Sequence, residues 1–193
     1  MRVLVISDSH RKKLKTVMEK LKPGWFFMTI PLGGKTSEIR LNYLNHRMSI
    51  DHFHPDAIVL HAGHNDLMAH PVHNHRPTFI KQYFPHLLEF VELIRGHYPY
   101  SEFYLSGMFP RKSGGRLTDD QAFQYNKLAR RFNELVRSSS RSVGFKRLLN
   151  CFLWESVRQA KVDPQFLCED GLHLNAGGRK ALCVDWFRQI IKA

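Results

Sequence analysis

The stretch RVLVIS, from Arg2 to Ser7, is a continuous apolar run with the length of one β-strand, and Asp8 and Ser9 follow it directly. A second run of the same kind, DAIVLHAG, extends from Asp56 to Gly63. Strands that are apolar on both faces are typical of a parallel sheet that helices cover on both sides. The two runs therefore predict an α/β fold.

The rest of the chain alternates between short apolar runs and amphipathic stretches. Three more strands are predicted, at Trp25–Pro31, Glu102–Met108 and Val143–Leu148. Helices are predicted at His10–Lys22, Lys35–His46, Phe79–Gly96, Thr118–Ser138, Asn150–Ala160 and Asn175–Ile191. Their N-caps include Thr118 or Asp119 and Asn175, and surface loops are predicted at His64–Arg76 and Phe109–Arg116. We expect a five-stranded parallel sheet between two layers of helices, in other words a three-layer α/β/α sandwich.

Length and composition narrow the class of protein. The 193 residues have the size of one domain, and we expect residues 1–193 to form it. A content of 43% hydrophobic residues excludes a disordered chain, and a formal net charge of +12 predicts attraction to polyanions such as nucleic acid or anionic lipid. Cys151, Cys168 and Cys183 form no C-x-x-C pair, and no run has the length of a signal-peptide core or a membrane span. These features favour an intracellular location, cytoplasmic or nuclear.

Ser9, Gly34 and Asn65 follow the first, second and third predicted strands. In an open parallel sheet, sites form beyond the carboxyl ends of the strands, so we expect these residues to lie near one another. A serine hydroxyl can act as a nucleophile, a glycine lets the backbone approach a substrate, and an asparagine amide can donate to an oxyanion. Each residue alone also has an ordinary explanation, as a helix N-cap, a tight turn and an Asx-turn respectively.

Near the other end of the chain, Asp170-Gly171-Leu172-His173 places a carboxylate three residues before an imidazole. At this spacing the carboxylate can orient the imidazole within one turn of loop. Together with Ser9, the pair has the composition of a Ser-His-Asp triad for acyl transfer. We expect no cofactor and no metal in such a site.

These residues stand in the order of the sequence blocks of the SGNH (GDSL-like) hydrolase superfamily, which the chain resembles over nearly its whole length. The blocks are present here as Ser7-Asp8-Ser9, Gly34-Lys35-Thr36, Gly63-His64-Asn65-Asp66 and Asp170 to His173. Two positions depart from the family pattern. Ser7 replaces the usual glycine and Lys35 replaces a common acidic residue, and neither change removes a catalytic role.

The resemblance implies a flavodoxin-like three-layer fold and a serine-esterase mechanism on a short-chain, acetyl-like ester or a lipid ester. Ser9 would attack the ester carbonyl, His173 would carry its proton to the leaving alcohol, and Asp170 would hold the imidazole tautomer. The backbone N–H groups of Ser9 and Gly34 and the side chain of Asn65 would form the oxyanion hole.

Within the superfamily, the chain most resembles the esterase domain of the first-open-reading-frame protein of vertebrate LINE retrotransposons. The resemblance rests on the Gly-His-Asn-Asp block, on YNKLARRFN from Tyr125 to Asn133, and on DGLHLN from Asp170 to Asn175. It implies an intracellular domain of a longer protein that self-associates through other regions and works with element RNA. A platelet-activating-factor-acetylhydrolase-like enzyme and a carbohydrate deacetylase remain open on the same residues.

Two other motifs compete for these residues. MRVLVISDSH also resembles the start of a calcineurin-like metallophosphoesterase, in which Asp8 and His10 would bind metals, but Gly63-His64 stands where a bridging carboxylate is needed. Gly34-Lys35-Thr36 resembles the tail of a P-loop, but Thr29 occupies the position of its first glycine.

Histidines cluster in one segment, and they are His61, His64, His70, His73 and His75. Metal ligation would need acidic or cysteine partners at ligand spacing, and none recurs there. The preferred interpretation is an exposed polar loop, or a lid, near the site.

Basic residues concentrate on two predicted helices and include Arg11, Lys12, Lys13, Lys15, Arg130 and Arg131. Solvated helix faces explain many such charges. The remainder predict weak, salt-sensitive binding to nucleic acid or to an anionic membrane surface. A non-catalytic basic binding domain is therefore a further hypothesis.

Overall fold

Buried strands alternate with helices along the chain. The computed structural model describes residues 1–7, 13–31, 34–69, 76–114, 117–148, 153–156 and 161–191. Its elements in chain order are β1 (Arg2–Ser7), α1 (Leu14–Leu21), β2 (Phe26–Pro31), α2 (Thr36–Asn45), α3 (Arg47–Phe53), β3 (Ala57–His61), α4 (His64–Ala69), α5 (Arg76–His97), β4 (Glu102–Ser106), α6 (Asp119–Val143), β5 (Lys146–Leu148), β6 (Trp154–Ser156), β7 (Lys161–Val162) and α7 (Ala176–Ile191). A 3₁₀ helix at Pro164–Phe166 stands between β7 and α7.

The first five strands form one parallel sheet. β1 pairs with β2 on one side and with β3 on the other, β4 pairs with β3, and β5 pairs with β4. The order is therefore β2-β1-β3-β4-β5, and the predicted five-stranded α/β fold is confirmed. The chain leaves β1 towards one edge of the sheet and returns to β3 on the other side of β1. Such a reversal opens a crevice beyond the carboxyl ends of β1 and β3.

The sheet separates two apolar cores, because successive side chains of a strand point to opposite faces. Leu4 and Ile6 of β1 face a core built with α2, α3, α5 and α6. Val3 and Val5 face a second core, built with α1 and α7. All four side chains are at most 1% exposed, which explains why the run Arg2–Ser7 is apolar without alternation.

Both predicted helix N-caps are confirmed. The Thr118 hydroxyl accepts the backbone N–H of Gln121 at 3.2 Å, and Oε1 of Gln121 accepts the backbone N–H of Thr118 at 2.9 Å. This reciprocal capping box begins α6. At the start of α7, Oδ1 of Asn175 accepts the backbone N–H of Gly178 at 2.9 Å.

Three local predictions are wrong. Trp154–Ser156 was predicted as part of a helix, but it forms β6, which pairs with β7 while Trp154 packs against both cores. Residues 64–69 form α4 instead of a surface loop. Leu67 of this helix is 3% exposed and packs into the core. The helix expected from His10 begins at Leu14 within the described residues, because Lys13 adopts a left-handed conformation with φ 68°.

The remaining observations concern the cysteine thiols and the hydropathy of the helices. Cys168 and Cys183 are free, and burial raises the pKa of Cys183 to about 12. Cys151 lies outside the described residues. Within the ranges given above, no helix combines the length and the apolar character that crossing a membrane requires.

Candidate active site

The Asp170–His173 pair has the geometry of an oriented base. Oδ2 of Asp170 binds Nδ1 of His173 at 2.5 Å, and Oδ1 accepts the backbone N–H groups of Leu172 at 2.9 Å and His173 at 3.0 Å. Burial acts to raise the pKa of Asp170, but these hydrogen bonds outweigh it and lower that pKa to about 2. An ionised carboxylate only accepts hydrogen bonds, so the proton belongs on Nδ1. Nε2 then carries the lone pair that a general base needs.

A left-handed glycine shapes this turn. Gly171 has φ +68°, and a Cβ at this position would overlap the carbonyl oxygen of Lys112. The N–H of Gly171 donates to the carbonyl of Cys168 at 3.0 Å, and the N–H of Cys168 donates to the carbonyl of His173 at 2.8 Å. These bonds close the turn on itself. Leu174, 2% exposed, then anchors the chain in the core just before α7.

The turn lies at the carboxyl end of the sheet. The backbone N–H of Lys112, in the segment that follows β4, donates to the carbonyl of Gly171 at 3.1 Å. In the same segment, the N–H of Phe109 donates at 2.9 Å to Nε2 of His64, the residue that begins α4 after β3. One segment therefore connects the turn with the residues that follow β3.

Gly34 and Asn65, the predicted oxyanion donors, are in contact. Nδ2 of Asn65 donates to the carbonyl oxygen of Gly34 at 2.8 Å, across 31 positions of sequence. An amide nitrogen carries two N–H donors, so this bond uses only one of them. Gly34 has φ +101°, a backbone conformation that residues with a side chain rarely adopt, which explains the glycine.

A second link joins the start of α4 to the start of α2, through Asp66 and Thr36, which the sequence analysis named only as members of the family blocks. Oδ2 of Asp66 accepts the backbone N–H of Thr36 at 2.9 Å and its hydroxyl at 2.8 Å. The Thr36 hydroxyl also lies 2.7 Å from the hydroxyl of Tyr83 on α5. Burial raises the pKa of Asp66, and the hydrogen bonds from Thr36 offset this only in part. Asp66 thus holds the loop that carries Gly34.

Ser9, the predicted nucleophile, lies outside the described residues. The strand before it ends at Ser7, which is in register with the last residues of both β2 and β3. Those two strands lead to Gly34 and Asn65 respectively. β1 therefore ends between β2 and β3, and the residues that follow these two strands meet in the Asn65–Gly34 hydrogen bond.

Two of the clustered histidines are core residues. The burial of His61 agrees with the predicted strand Asp56–Gly63, whereas the burial of His64 contradicts its prediction as part of an exposed loop. His61 is 0% exposed and His64 is 1% exposed. Nδ1 of His61 lies 3.0 Å from Oγ of Ser106, on the neighbouring strand. Hydrogen-bond partners of this kind make burial of a polar ring acceptable, and hydropathy cannot reveal them. His70, His73 and His75 lie outside the described residues.

The protonation of His64 follows from its burial. Burial first, and the positive charge of Arg111 second, hold the pKa of His64 well below its ordinary value of 6.5. The ring is therefore neutral at physiological pH, as the acceptor role of its Nε2 towards Phe109 requires.

The segment after β4 is also buried where a surface loop was predicted. Phe109 is 0% exposed and Arg111 is 4% exposed. Hydrogen bonds to His64 at the start of α4 and to Asn126 on α6 hold the segment between these two helices. Residues 115 and 116, at the end of the predicted loop, lie outside the described ranges.

The histidine cluster and the start of the chain are the two places where the sequence suggests a metal site. Among the residues that the structure describes, no three His, Cys, Asp or Glu side chains gather where they could share a metal ion. Asp8 and His10, the ligands in the metallophosphoesterase hypothesis, lie outside those residues.

The predicted basic residues that the structure describes do not form one surface. Four are described, namely Lys13, Lys15, Arg130 and Arg131, whereas Arg11 and Lys12 lie outside the described ranges. The two lysines belong to the layer of α1 and α7, and the two arginines belong to α6 on the opposite face of the sheet. Glu134 lies 3.8 Å from Arg130 and 3.4 Å from Arg131, and it offsets part of their charge.

Solved structures share the architecture at low sequence identity. A GDSL-like lipase from Bacteroides thetaiotaomicron aligns with a TM-score of 0.71 at 13% identity over 99% of this chain and 88% of that one. A member of the lipolytic G-D-S-L family from Veillonella parvula aligns with a TM-score of 0.68 at 12% identity over 100% of both chains. An acetyl xylan esterase aligns with a TM-score of 0.67 at 14% identity over 97% of this chain and 98% of its own. At these identities the likeness establishes the fold.

The class of the protein follows from its sequence family. A family model described as the GDSL-like lipase/acylhydrolase family matches residues 22–181, and the chain belongs to that family. No curated protein matches the chain by sequence. Family membership supports esterase or lipase activity on a small ester.

Proposed function

We propose that the protein is a serine esterase for short-chain, acetyl-like esters, with Ser9 as nucleophile, His173 as general base and Asp170 as the carboxylate that orients it. One observation carries the proposal, the 2.5 Å contact between Nδ1 of His173 and Oδ2 of Asp170. It commits Nδ1 to the carboxylate and leaves Nε2 to accept a proton. Membership of a lipase/acylhydrolase family agrees with this chemistry.

In the proposed mechanism, Nε2 of His173 takes the proton from Oγ of Ser9 as Oγ attacks the ester carbonyl carbon. The backbone N–H groups of Ser9 and Gly34 and the amide of Asn65 stabilise the tetrahedral oxyanion. When it collapses, the carbon–oxygen bond to the alcohol breaks, and His173 gives the proton to that alcohol. Water then attacks the acyl-enzyme with the same base, and Ser9 regains its proton as the acid leaves. Asp170, with a pKa of about 2, stabilises the imidazolium in both halves.

The test compares the wild type with Ser9→Ala and with Ser37→Ala, a matched change at an exposed serine of α2. We expect the wild type and Ser37→Ala to hydrolyse p-nitrophenyl acetate and to be labelled by a fluorophosphonate. Ser9→Ala should do neither, with an unchanged circular dichroism spectrum. Substantial esterase activity or labelling in Ser9→Ala would reject Ser9 as the nucleophile.

The preference for a short acyl group is part of the proposal. An acetyl xylan esterase shares the fold, which supports an acetyl-like substrate and keeps a carbohydrate deacetylase as the alternative. A series of p-nitrophenyl esters from acetate to octanoate measures this preference. We expect kcat/KM to fall as the acyl chain of the ester lengthens. A rise of kcat/KM towards octanoate would indicate a lipase instead of a short-chain esterase.

We also propose, from the sequence blocks alone, that residues 1–193 are a single esterase domain of the LINE retrotransposon type. This assignment rests on YNKLARRFN from Tyr125 to Asn133 and on the DGLHLN ending. This assignment implies an intracellular location, cytoplasmic or nuclear. It also implies self-association of the protein through regions outside this chain. Fluorescence microscopy of the tagged chain in vertebrate cells tests the location, and a secreted product would contradict it.

A second candidate function is weak binding to a polyanion, and one groove favours anionic lipid over nucleic acid. The groove, of about 600 Å³, lies between α5 and α6 and is lined by Ile80, Leu128, Leu135, Lys81, Lys127 and Arg131. Apolar and cationic side chains together suit lipid tails and headgroups. Phosphatidylserine vesicles should bind the wild type and Lys15→Glu at low salt, but should bind Lys127→Glu more weakly. Equal binding to phosphatidylcholine, or no effect of salt, would reject this function.

A further inference from the structure

Two asparagines of α6 hold the backbone of the segment that follows β4. Oδ1 of Asn126 accepts the backbone N–H of Arg111 at 2.6 Å, and its Nδ2 donates to the carbonyl of Arg111 at 2.8 Å. Asn133 makes the same pair of bonds to Met108, at 2.7 and 3.1 Å. Each asparagine side-chain amide therefore forms, with the backbone of one residue, the same two hydrogen bonds that a neighbouring β-strand would form.

The spacing of the two asparagines matches the spacing of the residues that they hold. Seven residues of α-helix rise about 10.5 Å, and three residues of extended backbone span about 10 Å. Positions 126 and 133 on the helix can therefore meet positions 108 and 111 at the same time. Without this pairing, the buried N–H and carbonyl groups of both residues would need other partners.

The side chain of Arg111 reaches the Asp170–His173 turn. The guanidinium of Arg111 donates to the carbonyl of Leu172, and it lies over the ring of Tyr125 at 5.4 Å from the centroid. Arg111 is 4% exposed, so it makes this contact inside the protein. The next residue, Lys112, donates its N–H to the carbonyl of Gly171. The turn is therefore tied to α6 through Arg111 and Asn126.

The tie acts on the peptide group that also contacts Asp170. The carbonyl of Leu172 and the N–H of His173 belong to one planar peptide unit. Its carbonyl accepts from Arg111, and its N–H donates to Oδ1 of Asp170 at 3.0 Å. Rotation of this unit would move the carboxylate and the imidazole relative to each other.

From this geometry we infer that Asn126 and Arg111 are positioning residues, which hold the Asp170–His173 pair at the orientation that catalysis needs. The inference rests on the proposed esterase function for its kinetic consequence. Its structural part, restraint of the turn by α6, stands independently. Asn133 provides the control, because it makes the same two bonds on the same helix to a residue three positions further from the turn.

The experiment compares Asn126→Ala with Asn133→Ala in two readouts. In p-nitrophenyl acetate hydrolysis, we expect Asn126→Ala to lower kcat by about 10- to 100-fold with KM within about two-fold, since small displacements of a reacting group have effects of this size. In amide hydrogen exchange, the Leu172 and His173 N–H groups should exchange at least about ten-fold faster in Asn126→Ala. Asn133→Ala should keep both readouts within about three-fold of the wild type.

Arg111→Met gives the same test without touching the backbone clamp, because it removes the guanidinium donor and keeps an unbranched apolar chain. Arg111→Met replaces Asn126→Ala in the experiment if Asn126→Ala does not fold. Equal effects of the Asn126 and Asn133 changes on kcat and on exchange, together with wild-type behaviour of Arg111→Met, would overturn the inference. An inactive wild type would instead reject the esterase proposal, and the exchange rates would still decide whether α6 restrains the turn.

Discussion

Buried His64 makes the free energy of unfolding depend on pH below neutrality. Burial first, and then the charge of Arg111, hold the pKa of His64 well below 6.5 in the folded protein. In the unfolded chain the same imidazole takes up a proton near its ordinary value. Unfolding therefore binds a proton at acidic pH, and the free energy of unfolding falls as the pH falls through 6.5.

The size of the effect follows from the linkage of one proton. For a group with an unfolded pKa of 6.5 and a folded pKa well below it, the linkage of one proton lowers the free energy of unfolding by about 1 kcal/mol between pH 7.5 and 5.5. Against the total stability of a domain, about 5–15 kcal/mol, this loss is large enough to measure.

Urea unfolding of the wild type and His64→Gln at about pH 7.5 and pH 5.5 isolates the contribution of His64. Oε1 of glutamine can accept the N–H of Phe109, which Nε2 of His64 now accepts at 2.9 Å, but it has no site for a proton. We expect the stability difference between the two proteins to change by about 1 kcal/mol from pH 7.5 to 5.5, in favour of the variant. His52→Gln, at an exposed position of α3, is the matched control variant. Parallel curves for the wild type and His64→Gln would refute the argument.

Three further predictions test other parts of the site and the fold. Asn65→Ala should lower kcat on p-nitrophenyl acetate by about 10²–10³ if its amide binds the oxyanion, and a loss below about five-fold would contradict that role. Gly171→Ala should lower the free energy of unfolding by at least about 1–2 kcal/mol, measured in urea, because φ is +68° and the new Cβ meets the Lys112 carbonyl; unchanged stability would show that the turn can rearrange. Thr118→Ala should cost about 1 kcal/mol by removing the capping box, whereas Thr118→Ser should cost little, and equal losses would argue against the cap.

Most of the architecture could be predicted from the sequence because its elements have local signals. β1 has the predicted bounds, Arg2–Ser7, since an uninterrupted apolar run between polar residues has only one place for a strand. α6 begins after Thr118 because Thr118 and Gln121 are spaced for a capping box. The alternation of strands and helices predicts the parallel sheet, because parallel neighbours need a crossover connection between them.

Elements that depend on tertiary contacts could not be predicted in the same way. Trp154–Ser156 reads as part of a helix, but its pairing with β7 and the contacts of Trp154 with both cores decide its conformation. His64 reads as a polar loop residue, and the burial of His61 and His64 depends on partners 45 positions away in each case, Ser106 and the Phe109 N–H. Hydropathy does not record whether a polar ring will find such a partner.

The same distinction between local signals and tertiary contacts applies to the candidate site. Asp170 and His173 are three positions apart, so their contact could be predicted from the spacing alone. Gly34 and Asn65 could be predicted to approach because each follows a strand next to β1. The clamp between Asn126 and Arg111 joins a helix face to a loop 15 positions away. In the sequence, its only trace is the pair of asparagines in YNKLARRFN, whose partners the sequence does not identify.

The segment from residue 107 to residue 112 therefore matters more to the site than its sequence suggests. It carries none of the predicted catalytic residues, yet Phe109 holds His64, the neighbour of Asn65, while Arg111 and Lys112 hold the turn that carries His173. His64, the neighbour of the proposed oxyanion donor, and the turn that carries the proposed general base thus contact one buried strip of backbone, which Asn133 holds at Met108 and Asn126 holds at Arg111. The Arg111 end of this strip contacts the turn, so substitutions there should lower turnover, whereas substitutions in exposed loops of equal length should have little effect on it.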